Sequence, residues 1–213
     1  MNDFSVSMAI VDFLPVFLFG QGAAILMRDL YNKMSKASFA LFAAGSINVF
    51  SAGFLKALWK LLYAAGICDF VALDAMFFPV QSIGFLLAGT GIIVMFLKRK
   101  AVMLSVAPPV FSGTFLFVGL MVAGLGCMNF GLCRIAGRMK KTWAVVLFVV
   151  AFLCSLCMGY LSSQDFTESF MNWLAEIINT VGQGAFLTGE TLGFQSIPIQ
   201  HAAHLLFVGP ILT

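Results

Sequence analysis

The sequence predicts an all-α, polytopic transmembrane helix bundle of about seven helices. Three observations predict it. Of 213 residues, 61% are hydrophobic and 10% charged, whereas a soluble globular domain carries about 25% charged residues. Mean hydropathy is +1.01. Seven stretches reach or approach the ~20 apolar residues that cross a bilayer as a helix. None shows the strict alternation of an outer-membrane barrel strand. The polar connections are short, so residues 1–213 read as one integral membrane domain with the lipid bilayer as its main partner. In a bacterium that places it in the inner membrane.

The 24 phenylalanines suit a lipid-facing surface, and the net charge is only +3. The basic residues lie in short clusters between apolar runs rather than in one patch, which excludes a nucleic-acid-binding surface. The five cysteines, Cys68, Cys127, Cys133, Cys154 and Cys157, are odd in number and sit mostly in apolar runs. Inert buried thiols are the simplest expectation.

The first apolar stretch, residues 7–27, carries Asp12 and Pro15. Met1-Asn2-Asp3-Phe4 lacks the basic start of a signal peptide, so this stretch is expected to be a retained helix. The second, 38–63, has a stripe of Gly45, Asn48, Ala52, Lys56, Trp59 and Tyr63, with Lys60 one turn past Lys56. Its small residues predict close helix packing. Its lysines either snorkel to headgroups or place Lys56 as a buried counter-charge. The third, 72–97, has a small-residue face of Gly84, Ala88 and Gly91, preceded by Pro79 and Gln81. Proline frees a backbone carbonyl, so Gln81 and Pro79 are candidates to face a cavity.

The fourth stretch, 102–132, contains Pro108-Pro109 and Gly113, which can break a helix. Basic clusters flank it: Lys98, Arg99 and Lys100 before, and Arg134, Arg138, Lys140 and Lys141 after. A third cluster, Arg28, Lys33 and Lys36, joins the first two stretches. The positive-inside rule favours all three on the cytoplasmic side. Seven simple crossings, the simpler path, put the last cluster opposite. A turn-back at Pro108-Pro109 puts it on the side of Lys98–Lys100. Both paths stay open on sequence alone.

The fifth stretch, 143–161, holds Cys154-Ser155-Leu156-Cys157. A C-x-x-C pair can exchange disulfides, but an apolar setting blunts a thiol, and only Cys127 with Cys133 could relay. The sixth, 166–187, leads into the most polar helix face in the chain. Asn172, Glu176, Asn179, Gln183 and Glu190 fall 4, 3, 4 and 7 residues apart, which stacks them on one narrow face. That face has no Lys or Arg, unlike a helix lying on a membrane surface. It therefore predicts a buried polar seam. The seventh, 196–212, carries His201 and His204 three residues apart, a spacing open to metal or haem ligation. No Walker A or H-E-x-x-H motif is present, and the last stretch lacks a lysine for a retinal Schiff base.

Gly20-Gln21-Gly22-Ala23 recurs as Gly182-Gln183-Gly184-Ala185, and Gln81-Ser82-Ile83 as Gln195-Ser196-Ile197. Matches this short carry little weight in a Gly- and Ala-rich chain. The functional expectation is a small-molecule or ion transporter, or a ligand-binding membrane protein, with a central polar cavity. Its lining would be Asn172, Glu176, Asn179, Gln183, Lys56, Asn48 and Gln81, with Lys56 as counter-charge to Glu176. The alternatives are a membrane redox enzyme, thiol–disulfide or haem-linked, and an accessory membrane subunit without substrate. No cofactor is named by any motif.

Overall fold

Helix breaks and caps in this chain follow from a few residues. The computed structural model describes residues 5–97, 114–161 and 169–194. Helix α1 (Val6–Val11) stops at Asp12 and α2 (Phe13–Leu30) begins directly after it. The break lies one turn before Pro15, where the ring of a proline collides with the carbonyl four residues back. The same cause separates α4 (Val71–Ala75) from α5 (Phe77–Phe96) at Met76, one turn before Pro79. Helix α3 (Lys36–Ala64) starts at Ser35, whose hydroxyl accepts from the Ser38 N–H at 3.2 Å, an N-cap bond. It ends at Gly66, φ +69°, and the Ile67 N–H returns to the Leu62 carbonyl at 3.0 Å, a left-handed cap that glycine adopts at no steric cost. Helices α6 (Thr114–Arg138), α7 (Thr142–Leu161) and α8 (Ser169–Phe194) complete the described chain.

Five of these spans are long and apolar enough to cross a membrane: Val6–Leu30, Lys36–Ala64, Val71–Phe96, Leu116–Arg138 and Thr142–Leu161. The 26-residue α8 is a sixth long helix with a polar face. The protein is a multi-pass membrane helix bundle. Six of the seven expected stretches thus hold a long helix, and the seventh, 196–212, lies outside the described residues.

The helices form a ring. Each long helix packs on the next in sequence, and α8 closes on α2. The directions follow from which residues meet. Gly53 faces Val16 and Gly20 faces Phe50, so α2 and α3 are antiparallel; Gly91 against Phe42 and Gly84 against Val49 make α3 and α5 antiparallel too. Helices α5 and α6 are parallel instead, because Gly124 meets Phe85, Gly131 meets Ile92, and Arg138 lies 5.8 Å from the Phe96 ring centre. Helix α7 then runs antiparallel to both α6 and α8, through Cys133 with Val145, Gly182 with Cys154, and Gly189 with Phe148. Finally α8 is parallel to α2, through Gly22 with Glu190 and Phe19 with Phe186. The ring is two trios of equal direction, α2-α3-α5 and α6-α7-α8.

The parallel direction of α5 and α6 bears on the fourth stretch only through its described part, α6. Within the described residues α6 runs Thr114–Arg138, and its C-terminal end with Arg134 and Arg138 sits at the end where α5 stops. The connection itself, with Lys98–Lys100 and Pro108-Pro109, lies outside the described residues. Tyr31 and Trp143 mark this end, while Trp59, Tyr63, Tyr160 and Trp173 mark the other. Amphipathic aromatics at both ends are the interfacial belts of a membrane protein. The end with Arg28, Lys33, Lys36, Arg134, Arg138, Lys140 and Lys141 carries the charge that the positive-inside rule associates with the cytoplasmic face, and is called the inner end below.

Glycine lets the trios assemble. At Gly45 an added Cβ would meet the backbone of Gly84 and Ala88, so α3 and α5 touch main chain to main chain. That contact is the close-packing seam expected from the small residues of both stretches.

Candidate functional site: a central cavity around a shared lysine

The break before Pro15 puts Asp12 between two helices with its carboxylate turned into the ring. There it meets Lys60, whose Nζ lies 2.7 Å from Asp12 Oδ2 and 3.7 Å from Glu176 Oε1. Asp12 and Glu176 are both buried, Glu176 to 4% exposure. One ammonium thus serves two carboxylates contributed by the start of α2 and the first third of α8. With all three ionised the cluster carries one surplus negative charge. Among the described residues Glu176 Oε2 has no hydrogen-bond partner, which leaves one carboxyl oxygen open to a donor or a cation.

The cluster lines a cavity of about 190 Å³. All six long helices contribute to its wall. Asp12, Lys60 and Glu176 sit near its outer end, with Phe77, Phe78, Met158 and Gly159; Gln81, Asn179 and Gln183 add amide groups further in. Phe19 and Phe85 stand at the inner end, their ring centres 6.3 Å apart. Phe19 stacks on Phe186 at 5.7 Å, and Phe186 meets Phe148 at 6.3 Å. Edge-to-face and stacked rings at these separations pack favourably. Together they floor the cavity.

Five of the seven residues expected to line a cavity do so: Glu176, Asn179, Gln183, Lys56 and Gln81. Asn172 is buried but lies outside the lining, and so does the half-buried Asn48. His201 and His204 lie outside the described residues. The expected Lys56–Glu176 pairing is corrected by the geometry. Lys60, one turn further along α3, faces Glu176. Lys56 turns to Asp74 Oδ1 at 3.7 Å and stands 4.1 Å over the Phe77 ring, a cation–π contact. The break at Met76 is what brings α4 and its Asp74 within reach of Lys56.

On sequence, Asp12 with Pro15 reads as a cavity candidate like Gln81 with Pro79, or as an interfacial acid; its pairing with Lys60 and Glu176 was not foreseen. The signal was present: an acid three residues before a proline marks a helix break with a free carboxylate. The cysteines form no disulfide among the described residues. All five are free, with Cys154 half-buried and Cys157 exposed. Compared with protein-family models, curated proteins and solved structures, the chain matches none.

Proposed function

We propose that the protein moves a small solute or ion across the membrane through this cavity, with the Asp12–Lys60–Glu176 cluster as its proton- or cation-linked group. One observation carries the proposal. A single cavity is walled by helices of both trios and holds a buried cluster of two carboxyl groups on one lysine. Charged side chains inside a membrane bundle are costly and typically mark ion or substrate paths. Two trios that share one wall can rock against each other around such a site, as the repeats of many transporters do. The cavity is smaller than the ~300–1,000 Å³ of drug-sized pockets, which favours an ion or a compact solute.

The chemistry is an exchange of partners. Lys60 holds both carboxyl groups. A proton or a cationic group that reaches Glu176 Oε2 weakens the hold of Lys60 on Glu176. That change of pairing is a means of linking occupancy to helix position.

The test is access. In a background without native cysteines, Glu176→Cys in liposome-reconstituted protein should react with a small membrane-impermeant thiol reagent added on the side opposite the basic clusters. Ile177→Cys, exposed on the outer surface of α8, should react poorly with it and be reached by lipid-soluble probes instead. If position 176 is inert to the aqueous reagent from both sides, the transport reading fails.

A further inference from the structure

Beyond the aromatic floor lies a second buried carboxylate that the cavity does not use. Glu190 is 0% exposed, and neither of its oxygens has a hydrogen-bond partner among the described residues. It sits against the bare α-carbon of Gly22: an added Cβ there would come 2.6 Å from Glu190 Oε2 and 3.0 Å from the Phe186 ring. Glycine at 22 therefore makes the space that the carboxylate occupies. Glu190 also continues the face of Glu176, Asn179 and Gln183. Phe186 fills the one position on that face where the polar series is interrupted.

We propose that Glu190 is the inner proton site of the transport path, separated from the outer cavity by a gate of Phe19, Phe85 and Phe186. The inference rests on the transport reading above. Glu176 and Glu190 are fourteen residues apart, about 21 Å along the helix, so the two acids sit on opposite sides of the gate. The groups around Glu190 define its guest. From α2 comes Asp29, close enough to bear on it electrostatically. Arg28 Nε is held by Asp29 Oδ1 at 2.8 Å, and Lys33 lies within the field of Asp29. From α7 the facing side chains are Phe148, Leu147 and Ala144. A metal cation takes about six or more oxygen ligands at such a hard site, and these neighbours do not supply them. A proton needs one carboxylate oxygen and no shell. In the step, a hydronium ion that enters from the outer cavity when the gate opens gives up its proton, an O–H bond of the ion breaking to leave water. An O–H bond forms at Glu190, and it breaks again when the proton leaves to water at the inner end. No electrons are exchanged.

The experiment uses the full chain in liposomes with a trapped pH-sensitive dye and an imposed proton gradient. Phe186→Ala should raise proton flux several-fold over the wild type. Phe186→Ala with Glu190→Gln should lose that increase and fall below the wild-type rate, because the wild-type flux also passes through Glu190. A leak that persists undiminished in the double variant, or no leak in Phe186→Ala, overturns the proposal. So does a flux driven equally by a sodium gradient without a proton gradient. Infrared spectra of the wild type and of Glu190→Gln give an independent reading that needs no gate variant. The wild type should show the C=O stretch of a buried protonated carboxyl that the variant lacks, and identical spectra overturn the assignment. Neither readout depends on position 176, so failure of the outer-cavity reading is seen separately, in the thiol-access test.

Discussion

Lys60 is the residue on which the outer cluster turns. Removing it takes from Asp12 and Glu176 the one ammonium paired with both. Breaking a buried ion pair from one side costs about 3–5 kcal/mol. Lys60→Met should therefore strongly lower the thermal stability of the detergent-purified protein, and adding Glu176→Gln should restore part of the loss. Lys56→Met should cost no more than about 1 kcal/mol, since its partner Asp74 is partly exposed and such pairs contribute little. Strictly additive effects of Lys60→Met and Glu176→Gln would show that the two do not interact. The sequence made both lysines visible as cations in an apolar helix and made the α8 stripe visible by spacing. It did not say which lysine meets the stripe. That depends on how deep α3 sits beside α8, and the sequence of neither helix alone contains a one-turn offset between two helices. Glu190 was visible as a member of the stripe, but its separation from the others was not. The separating residue, Phe186, reads as one apolar residue among many until Phe19 and Phe85 are seen to meet it.

At the scale of elements, the small residues have the more predictable consequences. Gly45 lies against the main chain of α5, so a side chain there has no flexible neighbour to displace. Gly45→Leu should destabilise by about 3 kcal/mol, the upper end of the usual cost of overpacking. The matched control is Gly119→Ala, where an added Cβ meets nothing within 4 Å. Relief of the poor helix propensity of glycine should there raise stability by up to ~1 kcal/mol. Thermal unfolding in one detergent measures both, and equal shifts would contradict the close α3–α5 contact. This seam was legible because Gly45, Ala52, Gly84, Ala88 and Gly91 recur at helical spacing in two stretches. The prolines were read in part. Pro15 lines the cavity as its pairing with Asp12 suggested, whereas Pro79 is not in the lining. Both also end a short helix, α1 and α4, and the residues delivered by those breaks, Asp12 and Asp74, are the ones that pair with the lysines. The Gly-Gln-Gly-Ala recurrence does not mark equivalent helices, since α2 opens its trio whereas α8 closes the other.

For the whole molecule, the direction of α6 decides the topology. Were α6 antiparallel to α5, the basic residues from Arg134 to Lys141 would face the outside, against the charge rule that orients most helical membrane proteins. The parallel arrangement removes the conflict. It puts Arg28, Lys33 and Lys36 at the same end as Arg134, Arg138, Lys140 and Lys141, while the described connection at the other end, around Gly66, carries Asp69 and no Lys or Arg. Hydropathy alone could not reach this result. Residues 102–132 read as one apolar stretch, and only the contacts Gly124–Phe85 and Arg138–Phe96 fix which way its helix points. Reporter fusions test it directly. Junctions after Asn32 and after Lys140 should both report the cytoplasmic side, and a junction after Ile67 should report the opposite side. Moving the basic charge of residues 134–141 to neutral residues should reduce correct orientation of the second trio more than that of the first, which keeps Arg28, Lys33 and Lys36. If the junction after Lys140 reports the side of Ile67, α5 and α6 are not parallel in the membrane. Glu176 and Asp12 could then no longer share Lys60 at one level of the bundle, because α8 would enter from the wrong end. The sidedness of one loop therefore tests the bundle and its charged cavity together.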